Sequence, residues 1–370
     1  MNCHQGEKST EQPVPAGECC TIMDDGQQRV DIIIPNYNGL KVLVPCLQSI
    51  AEQSYRRIKI IIVDNGSSDG SVEFIAENFP DVHLIALSEN TGFSAAVNTG
   101  INAGSSPLIF LLNNDTELEP RCLEHLVKAA GTLTDYDFFA PKMLSFQERT
   151  VLDGAGDGYL RGGAGYRLGT MERDSKVYNQ AGPVFGACAG AVLYRRSLFD
   201  RVGLFDADFF AYLEDVDLNL RINRAGLSGY YIPASVVYHI GSATSGSKIN
   251  EFTVRLSTRN SLLVLLKNYR LSLFLRLLPV IIIYQFCWFL FVIKKRQFLP
   301  YAQGVWHALT MIRQMRHKHR QLRKLDSLST SEFAACLKEA EKSVVASIMR
   351  RRSAEGKGNL LFQLYGFFFL

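Results

Sequence analysis

Short apolar runs that end in polar residues recur through the first third of the chain. Residues 30–35, 58–63, 82–87 and 108–112 are almost wholly apolar, as strands buried on both faces of a sheet are. The segments between them, at about 40–53, 72–78 and 93–103, have apolar residues at helical spacing or open on helix-start residues. This β-α-β-α-β-α-β order predicts an α/β fold with a doubly wound, mostly parallel sheet and right-handed crossovers.

Each predicted strand ends in a polar loop, and such loops converge on the carboxyl edge of a parallel sheet, where ligands bind. The fourth strand ends in Asn113, Asn114 and Asp115. A carboxylate beside two carboxamides suits a hard cation that holds phosphate oxygens, so we predict that Asp115 faces a metal in a nucleotide-diphosphate site. The alternative is that this N-N-D run simply turns the chain out of the sheet.

The other loops suggest complementary contacts to a nucleotide. We predict that Asp64, after the second strand, accepts the N–H of a uracil or thymine ring. Asn90, Gly92 and Asn98 lie at or near a predicted helix start, where free N–H groups favour phosphate. The chain contains no G-x-G-x-x-G and no G-x-x-x-x-G-K-[ST], which argues against dinucleotide cofactors and P-loop chemistry.

A second chemical centre is predicted at 209–226, where three carboxylates follow an aromatic run. Glu214, Asp215 and Asp217 open a predicted helix that stops at Gly226. One acidic residue would suffice to cap the helix dipole, which is the alternative interpretation. Three within four positions favour a base that takes a proton from an acceptor hydroxyl, with aromatic neighbours that exclude water and raise its pKa.

Four motifs together carry a family resemblance: V-D-I-I-I-P-N-Y-N, I-V-D-N-G-S-S-D-G-S, N-T-G-F-S-A-A-V-N-T-G-I and F-L-L-N-N-D. Residues 30–270 resemble the family 2 inverting glycosyltransferases, in particular the rhamnosyltransferase-like branch. The resemblance implies a nucleotide-diphospho-sugar transferase (GT-A-like) fold and a divalent cation, Mg²⁺ or Mn²⁺. The N-N-D run stands where the family more often has D-x-D, which implies looser metal binding.

The resemblance also implies roles for individual residues. Asp215 matches the catalytic base of the family's E-D-x-D motif, and Glu214 and Asp217 would orient the site or the acceptor. His239, at the end of a predicted strand, would join Asp115 at the metal or contact the pyrophosphate, although a lone histidine is usually structural. The implied donor-binding residues are Pro35, Tyr37, Asn38, Asp64, Asn90, Gly92, Asn98, Asn113, Asn114 and Arg259. A Gly-rich stretch, 154–169, predicts either a mobile loop over the site or a plain surface loop.

Composition and length fit one large catalytic domain with attached segments. The chain has 370 residues, 47% of them hydrophobic, and a net charge of +4. We predict a loose leader at 1–28, a catalytic domain at 29–270, membrane-associated helices at 271–330 and a tail at 331–370. The eight cysteines show no C-x-x-C spacing, which favours reduced thiols over zinc or a disulfide framework. No secretory signal pattern is visible at the N-terminus.

The C-terminal part combines apolar and basic segments. Residues 277–293 are apolar apart from Tyr284 and Gln285, but as a helix they would span only about 25 Å. We therefore predict a helix in the membrane interface or a re-entrant hairpin; a buried soluble helix is the alternative. Residues 304–325 predict one basic amphipathic helix of the membrane-surface type, and nucleic-acid motifs are absent. The implied location is the cytoplasmic face of the plasma membrane, as a peripheral or monotopic protein.

These features predict an inverting, metal-dependent glycosyltransferase that moves a sugar, such as rhamnose, from a nucleotide-diphospho-sugar to a lipid-linked saccharide in cell-envelope polysaccharide synthesis. One alternative is a sugar nucleotidyltransferase, but the first strand is followed by P-N-Y-N rather than a Gly-rich basic loop. The other is a non-catalytic membrane-bound interaction protein with a degenerate sugar site.

Overall fold

The computed structural model describes residues 28–241 and 249–370. The predicted leader therefore lies outside the described residues except for its last position. The strands are β1 (Val30–Asn36), β2 (Ile58–Asp64), β3 (His83–Ala86), β4 (Leu108–Leu112), β5 (Thr116–Leu118), β6 (Phe138–Ser145), β7 (Leu152–Gly154), β8 (Asp157–Leu160), β9 (Ala164–Arg167), β10 (Gly182–Val184), β11 (Ala191–Arg195) and β12 (Gly229–His239). The helices are α1 (Leu40–Ala51), α2 (Ser71–Asn78), α3 (Phe93–Ala103), α4 (Cys122–Thr132), α5 (Arg196–Val202), α6 (Glu214–Arg224), α7 (Glu251–Asn268), α8 (Leu271–Lys294), α9 (Phe298–Thr310), α10 (Ile312–Leu322), α11 (Thr330–Ala354) and α12 (Leu360–Phe369).

One large sheet organises the catalytic part, in the strand order β10-β12-β6-β11-β4-β1-β2-β3. Strands β4, β1, β2 and β3 are parallel neighbours, as predicted, so their carboxyl ends share one edge. The other half is mixed, because β11 runs antiparallel to both β4 and β6, whereas β12 is parallel to β6. The predicted GT-A-like α/β fold is confirmed, with a parallel first half and a mixed second half.

The core lies on both faces of this sheet, which explains why its strands are apolar throughout. Every residue of β4 is fully buried. Alternate residues face opposite sides: Phe110 packs in one cluster with α1 and α4, and Leu111 packs in another with α3 and α5. Burial of this kind stabilises the fold by roughly 25 cal/mol per Å² of apolar surface, and it leaves only the strand ends free to carry polar chemistry.

The Gly-rich stretch is not a loop, which corrects the sequence-based prediction. Residues 157–167 form an antiparallel hairpin of β8 and β9. Its turn contains Gly162 and Gly163, and Gly163 has φ +106°, a left-handed conformation that glycine adopts without steric cost. The glycines instead allow close packing: a Cβ on Gly158 would lie 2.5 Å from Val344, and one on Gly162 would lie 2.1 Å from Tyr284.

The C-terminal helices pack on the preceding residues through α7 and through the β8–β9 hairpin. Helix α8 is 24 residues long and unbroken, so the predicted re-entrant hairpin within 277–293 is wrong. The single basic helix predicted at 304–325 is also wrong, because α9 ends at Thr310 and α10 begins at Ile312. Met315 of α10 is fully buried in the cluster that holds Leu263 of α7. The basic segment is thus partly a docking element of the protein itself.

Candidate functional site

A large cavity of about 1110 Å³ opens at the carboxyl edge of the parallel strands. Its lining combines the polar strand ends, the β8–β9 hairpin and the N-terminus of α6. The predicted residues that line it are Pro35, Tyr37, Asn90, Gly92, Asn113, Asn114, Asp115, Glu214, Asp215 and His239. The two chemical centres that the sequence suggested, around Asp115 and around Asp215, therefore share one cavity.

The strand ends form a hydrogen-bonded polar edge. Asn114, after β4, donates through Nδ2 to Asn36 Oδ1 at 2.7 Å, and Asn36 donates to Asp64 Oδ2 at 2.8 Å. Asn90 accepts through Oδ1 from Gly92 N at 2.9 Å. These contacts fix the loops against each other before any ligand arrives, which limits the ordering cost of binding.

A line of charged contacts starts at Asp115 and crosses one wall of the cavity. His239 Nε2 lies 3.3 Å from Asp115 Oδ1, and His239 Nδ1 lies 2.8 Å from Asp153 Oδ2. Asp153 in turn pairs with Arg167. Burial opposes protonation of His239, but the hydrogen bonds to Asp115 and Asp153 outweigh it and raise the imidazole pKa.

The residues at this end fit a divalent cation only together with ligand oxygens. Among residues 28–241 and 249–370, no group of three or more His, Cys, Asp and Glu side chains is arranged to hold a metal ion. Asp115 and His239 offer one carboxylate and one imidazole on the same wall. Mg²⁺ and Mn²⁺ are commonly held in this way, with a few protein ligands, phosphate oxygens and water.

Asp215 lies at the N-terminus of α6 and faces the cavity. Its Oδ1 accepts from Val216 N at 2.8 Å, and its Oδ2 lies 3.5 Å from Ala189 N. Burial raises the pKa of Asp215, although Arg167 opposes the shift. Burial, and then the charge of Asp215, raise the pKa of Glu214 well above its usual value. A carboxylate with a raised pKa is a stronger base, which suits proton abstraction.

The aromatic segment before α6 has an unusual backbone. Phe210, Tyr212 and Leu213 all have positive φ, between 63° and 68°, which costs about 1–3 kcal/mol each unless the surroundings impose it. Asn260 of α7 imposes it here, because its Nδ2 donates to the carbonyls of Phe209, Ala211 and Tyr212 at 2.6–2.9 Å. This clamp points the aromatic residues 210 and 212 into the cavity lining.

Several predicted site residues lie elsewhere. Asn98 is in the middle of α3, not at its start, and both atoms of its amide bond Phe205. Arg259 donates to the carbonyls of Asp208 and Phe209, so it supports the aromatic segment from behind rather than lining the cavity. Asp217 is fully buried and pairs with Arg221 and Lys267. Its predicted contact with the acceptor is therefore absent, and any orienting role acts through α6.

Asn38 and Asp64 also lie outside the cavity lining. Asn38 Oδ1 accepts from Ser68 N at 2.8 Å, and Asp64 Oδ1 accepts from Ser67 N at 2.9 Å. Both side chains thus hold the Ser67–Ser68 turn. A direct contact between Asp64 and a base ring would require that turn to move, and it stays a prediction.

Sequence reasoning missed Asp153 of β7, the hairpin residues Asp157 and Arg167, and the neighbouring Cys188, all of which line the cavity. Arg167 Nη2 lies 2.9 Å from Cys188 Sγ. A signal was present: R-G-G between D-G-Y-L and A-G-Y-R is typical of a hairpin turn between two short strands. A hairpin interpretation would have placed Asp157 and Arg167 directly opposite each other, as they are.

Residues 31–203 match the family described as Glycosyl transferase family 2, a range that contains Asp115 and the polar strand ends. The match covers just under half of the chain, and over this range the chain is similar to the family 2 glycosyltransferases. It is 28% identical over 222 residues to an N-acetylglucosaminyl-diphospho-decaprenol L-rhamnosyltransferase of Mycobacterium tuberculosis, over 54% of this chain and 72% of that protein. It is 29% identical over 241 residues to an uncharacterised glycosyltransferase of Bacillus subtilis, YwdF, over 63% of this chain and 85% of the relative.

The fold of the chain also matches a solved structure. GalNAc-T7, crystallised with UDP, GalNAc and Mn²⁺, superposes with a TM-score of 0.54 at 15% sequence identity, over 65% of this chain and 48% of the other. This similarity establishes the shared architecture of the catalytic part. The rhamnosyltransferase-like resemblance agrees with the Mycobacterium tuberculosis relative.

Proposed function

We propose that this protein is a glycosyltransferase that moves a sugar from a nucleotide-diphospho-sugar to a hydroxyl of a lipid-linked saccharide, with inversion at the anomeric carbon. The observation that carries the proposal is the shared cavity, with an edge suited to phosphate and metal around Asp115 and a half-buried carboxylate, Asp215, on the same lining. A base and a leaving-group site in one cavity allow in-line displacement without a covalent sugar–enzyme intermediate.

The proposed donor lies along the edge formed by Pro35, Tyr37, Asn90 and Asn114. Asp115 and His239 would hold Mg²⁺ or Mn²⁺, which when bound offsets the charge that develops on the departing nucleoside diphosphate. Asp215 takes the proton of the acceptor hydroxyl as that oxygen attacks the sugar. The aromatic segment 209–213 excludes water from this step.

The name of the Mycobacterium tuberculosis relative supports the finer assignment of the substrates. That protein is called a rhamnosyltransferase acting on an N-acetylglucosaminyl-diphospho-decaprenol. By analogy, we propose a rhamnosyl donor and a saccharide diphospholipid acceptor in cell-envelope polysaccharide synthesis. The partners proposed are the donor, the lipid-linked acceptor and a membrane surface.

We further propose that the C-terminal helices hold the enzyme on the cytoplasmic face of the membrane, with α8 in the interface. Helix α8 is long and apolar enough to cross a membrane, and only 22% of its most apolar 18-residue stretch is buried. However, its buried residues run from Leu273 to Val292, and Trp288 Nε1 donates to Thr258 of α7 at 2.9 Å. A helix attached to the catalytic part along its length fits a monotopic arrangement better than a crossing.

The deciding experiment measures nucleoside-diphosphate release by the full-length protein in detergent. UDP-, GDP- and dTDP-sugars, including dTDP-rhamnose, are offered with Mn²⁺ and a crude bacterial lipid extract. We expect release from one donor, stimulated by the extract, abolished by EDTA and reduced at least about 10³-fold in Asp215→Asn.

The matched control is Asp200→Asn, an exposed carboxylate of α5, which should behave as the wild type. Undiminished release by Asp215→Asn would remove the assigned base while leaving the fold standing. If no donor yields nucleoside diphosphate and calorimetry detects no donor binding, the alternative of a non-catalytic interaction protein would be favoured.

A further inference from the structure

The hairpin β8–β9 presents a second carboxylate, Asp157, to the cavity beside the assigned base. Asp157 is 7% exposed and lies directly opposite Arg167 in the antiparallel pair. Its backbone forms a bridge with Gly186, with N–O distances of 2.8 and 3.1 Å. The same 186–190 segment supplies Ala189 N, which faces Asp215 Oδ2. Asp157 and Asp215 are thus held by one piece of backbone.

The charges around this point do not balance within the protein. The carboxylates of Asp153, Asp157 and Asp215 all act on the single guanidinium of Arg167. Arg167 is engaged with Asp153 and Cys188. Burial, and then the charge of Asp215, raise the pKa of Asp157 to about 7, although Arg167 opposes the shift. Asp157 therefore needs a further proton or hydrogen-bond donor at this position.

Glu214 gives an independent indication of an absent ligand. It is 7% exposed, it lines the same cavity, and its Oε2 has no hydrogen-bond partner among the described residues. A buried acceptor without a partner costs about 1–3 kcal/mol, so native proteins rarely keep one without a reason. Hydroxyl groups of a ligand would satisfy both Glu214 and Asp157.

We propose that Asp157 and Glu214 bind hydroxyl groups of the acceptor sugar and hold it against Asp215. The ligand class is a polyol with an apolar ring face: the carboxyl groups of Asp157 and Glu214 hydrogen-bond its hydroxyls, and the aromatic residues Phe210, Tyr212 and Phe252 line the same cavity. These three rings form an edge-to-face cluster with centroids 6.1–6.3 Å apart. Arg167 is a positioning residue that fixes the carboxylates.

This subsite is assigned to the acceptor sugar, rather than to the donor, because of where it lies along the line of charged contacts that starts at Asp115. That line runs from Asp115 through His239, Asp153 and Arg167, and Asp157 lies at the far end beside the base. The donor's diphosphate belongs at the Asp115 end. The groups next to the base must therefore meet the molecule that gives up its proton to Asp215. This inference rests on the proposed glycosyl transfer.

The test compares Asp157→Ala, Asp157→Asn and the control Asp200→Ala in acceptor titrations. The amount of lipid extract that half-saturates nucleoside-diphosphate release is measured at saturating donor, beside calorimetric binding of UDP, GDP and dTDP. We expect Asp157→Ala to need about 10- to 100-fold more extract. Asp157→Asn should need less than Asp157→Ala because an amide still hydrogen-bonds hydroxyls, while nucleotide affinity stays within about twofold in all variants.

Two results would overturn the assignment while the proposed function stands. Either Asp157→Ala half-saturates at the wild-type amount of extract, or it loses nucleotide affinity to the same extent, which would indicate a structural role. Wild-type protein that the extract fails to stimulate would instead remove the proposed function, and this subsite with it.

Discussion

At the scale of single residues, the site is built by pairing each reactive group with a neighbour that tunes it. Asn260 acts on the site indirectly. It does not line the cavity, but it donates to backbone carbonyls of the strained segment that places Phe210 and Tyr212. Gly92 has φ +88° and approaches Phe210 so closely that a Cβ would lie 2.7 Å from its carbonyl oxygen. Arg259 and Asn260 thus both act on the backbone of the aromatic segment.

The pH dependence of the reaction follows from the two neighbouring aspartates. The pKa of Asp215 is raised by burial, so the base is lost as pH falls, and kcat/KM should decline on the acid side at a pH above the usual 3.8 of aspartate. Asp157, with a pKa raised to about 7, loses its proton as pH rises. Acceptor binding should weaken above pH 7, because Asp157 then no longer donates a hydrogen bond to the acceptor and adds a negative charge beside Asp215. Because the two groups interact, the acid and alkaline sides of the pH profile report apparent pKa values of the pair rather than of either residue.

The measurement is kcat/KM for the acceptor from pH 5 to 9. Excess Mn²⁺ ensures that loss of the metal does not cause the decline of kcat/KM at low pH. Asp157→Asn should keep the acid limb and flatten the fall above pH 7, since the amide cannot ionise. A variant profile that still falls near pH 7 would show that another group titrates there.

At the scale of elements, the β8–β9 hairpin connects the cavity to the C-terminal helices. Its two strands carry Asp157 and Arg167, which line the cavity. Its turn contacts α8, where Gln285 donates to Gly162 O at 2.9 Å. Tyr284 and Gln285, the polar interruptions that the sequence showed in an apolar segment, are thus the contacts that the hairpin needs. The interruptions are explained by packing against the catalytic part.

This junction should be sensitive to a single methyl group. A Cβ at Gly162 would lie 2.1 Å from Tyr284 Cβ, so Gly162→Ala forces α8 or the hairpin to shift. We expect it to lower the free energy of unfolding by about 1–3 kcal/mol and to reduce acceptor kcat/KM more than nucleotide affinity. Denaturant unfolding in detergent and the titrations above measure both.

The matched control is Gly131→Ala in α4, where a Cβ meets nothing within 4 Å and helix propensity should make the change neutral or favourable. Tyr284→Gly, which removes the Cβ that the new methyl group would meet, should restore part of the loss in the Gly162→Ala background. An unchanged Gly162→Ala protein would mean that α8 is free to move away from the hairpin.

At the scale of the whole molecule, an apolar surface and a basic stretch lie together on the C-terminal helices. Leu275, Ile282 and Phe286 of α8 are each 57% exposed, and Lys294, Lys295 and Arg296 end that helix. Phe367 and Phe368 of α12 are also exposed. An apolar face with a basic border is the arrangement of a protein bound to anionic lipid.

Vesicle flotation tests this arrangement. The full-length protein should float with phosphatidylglycerol vesicles and bind less at high salt. Reversal of Lys294, Lys295 and Arg296 to Glu should weaken binding at least about tenfold, at roughly 1 kcal/mol per charge. Reversal of the exposed Lys41 and Lys128, on the catalytic part, should have little effect. Flotation indifferent to salt and to the triple reversal would favour purely apolar insertion, as of a crossing helix.

The sequence by itself determined the parallel first half of the sheet and the polar edge at its carboxyl ends, because strands buried on both faces leave a continuous apolar run that stops where the ligand site begins. Asp115 could be found because it follows such a run, and Asp215 could be found because it opens a helix. The hairpin, the position of Asp157 beside Asp215, and the buried placement of Asp217 were decided only by the tertiary structure. Those features depend on which distant segments meet across a cavity, and local periodicity carries no information about that.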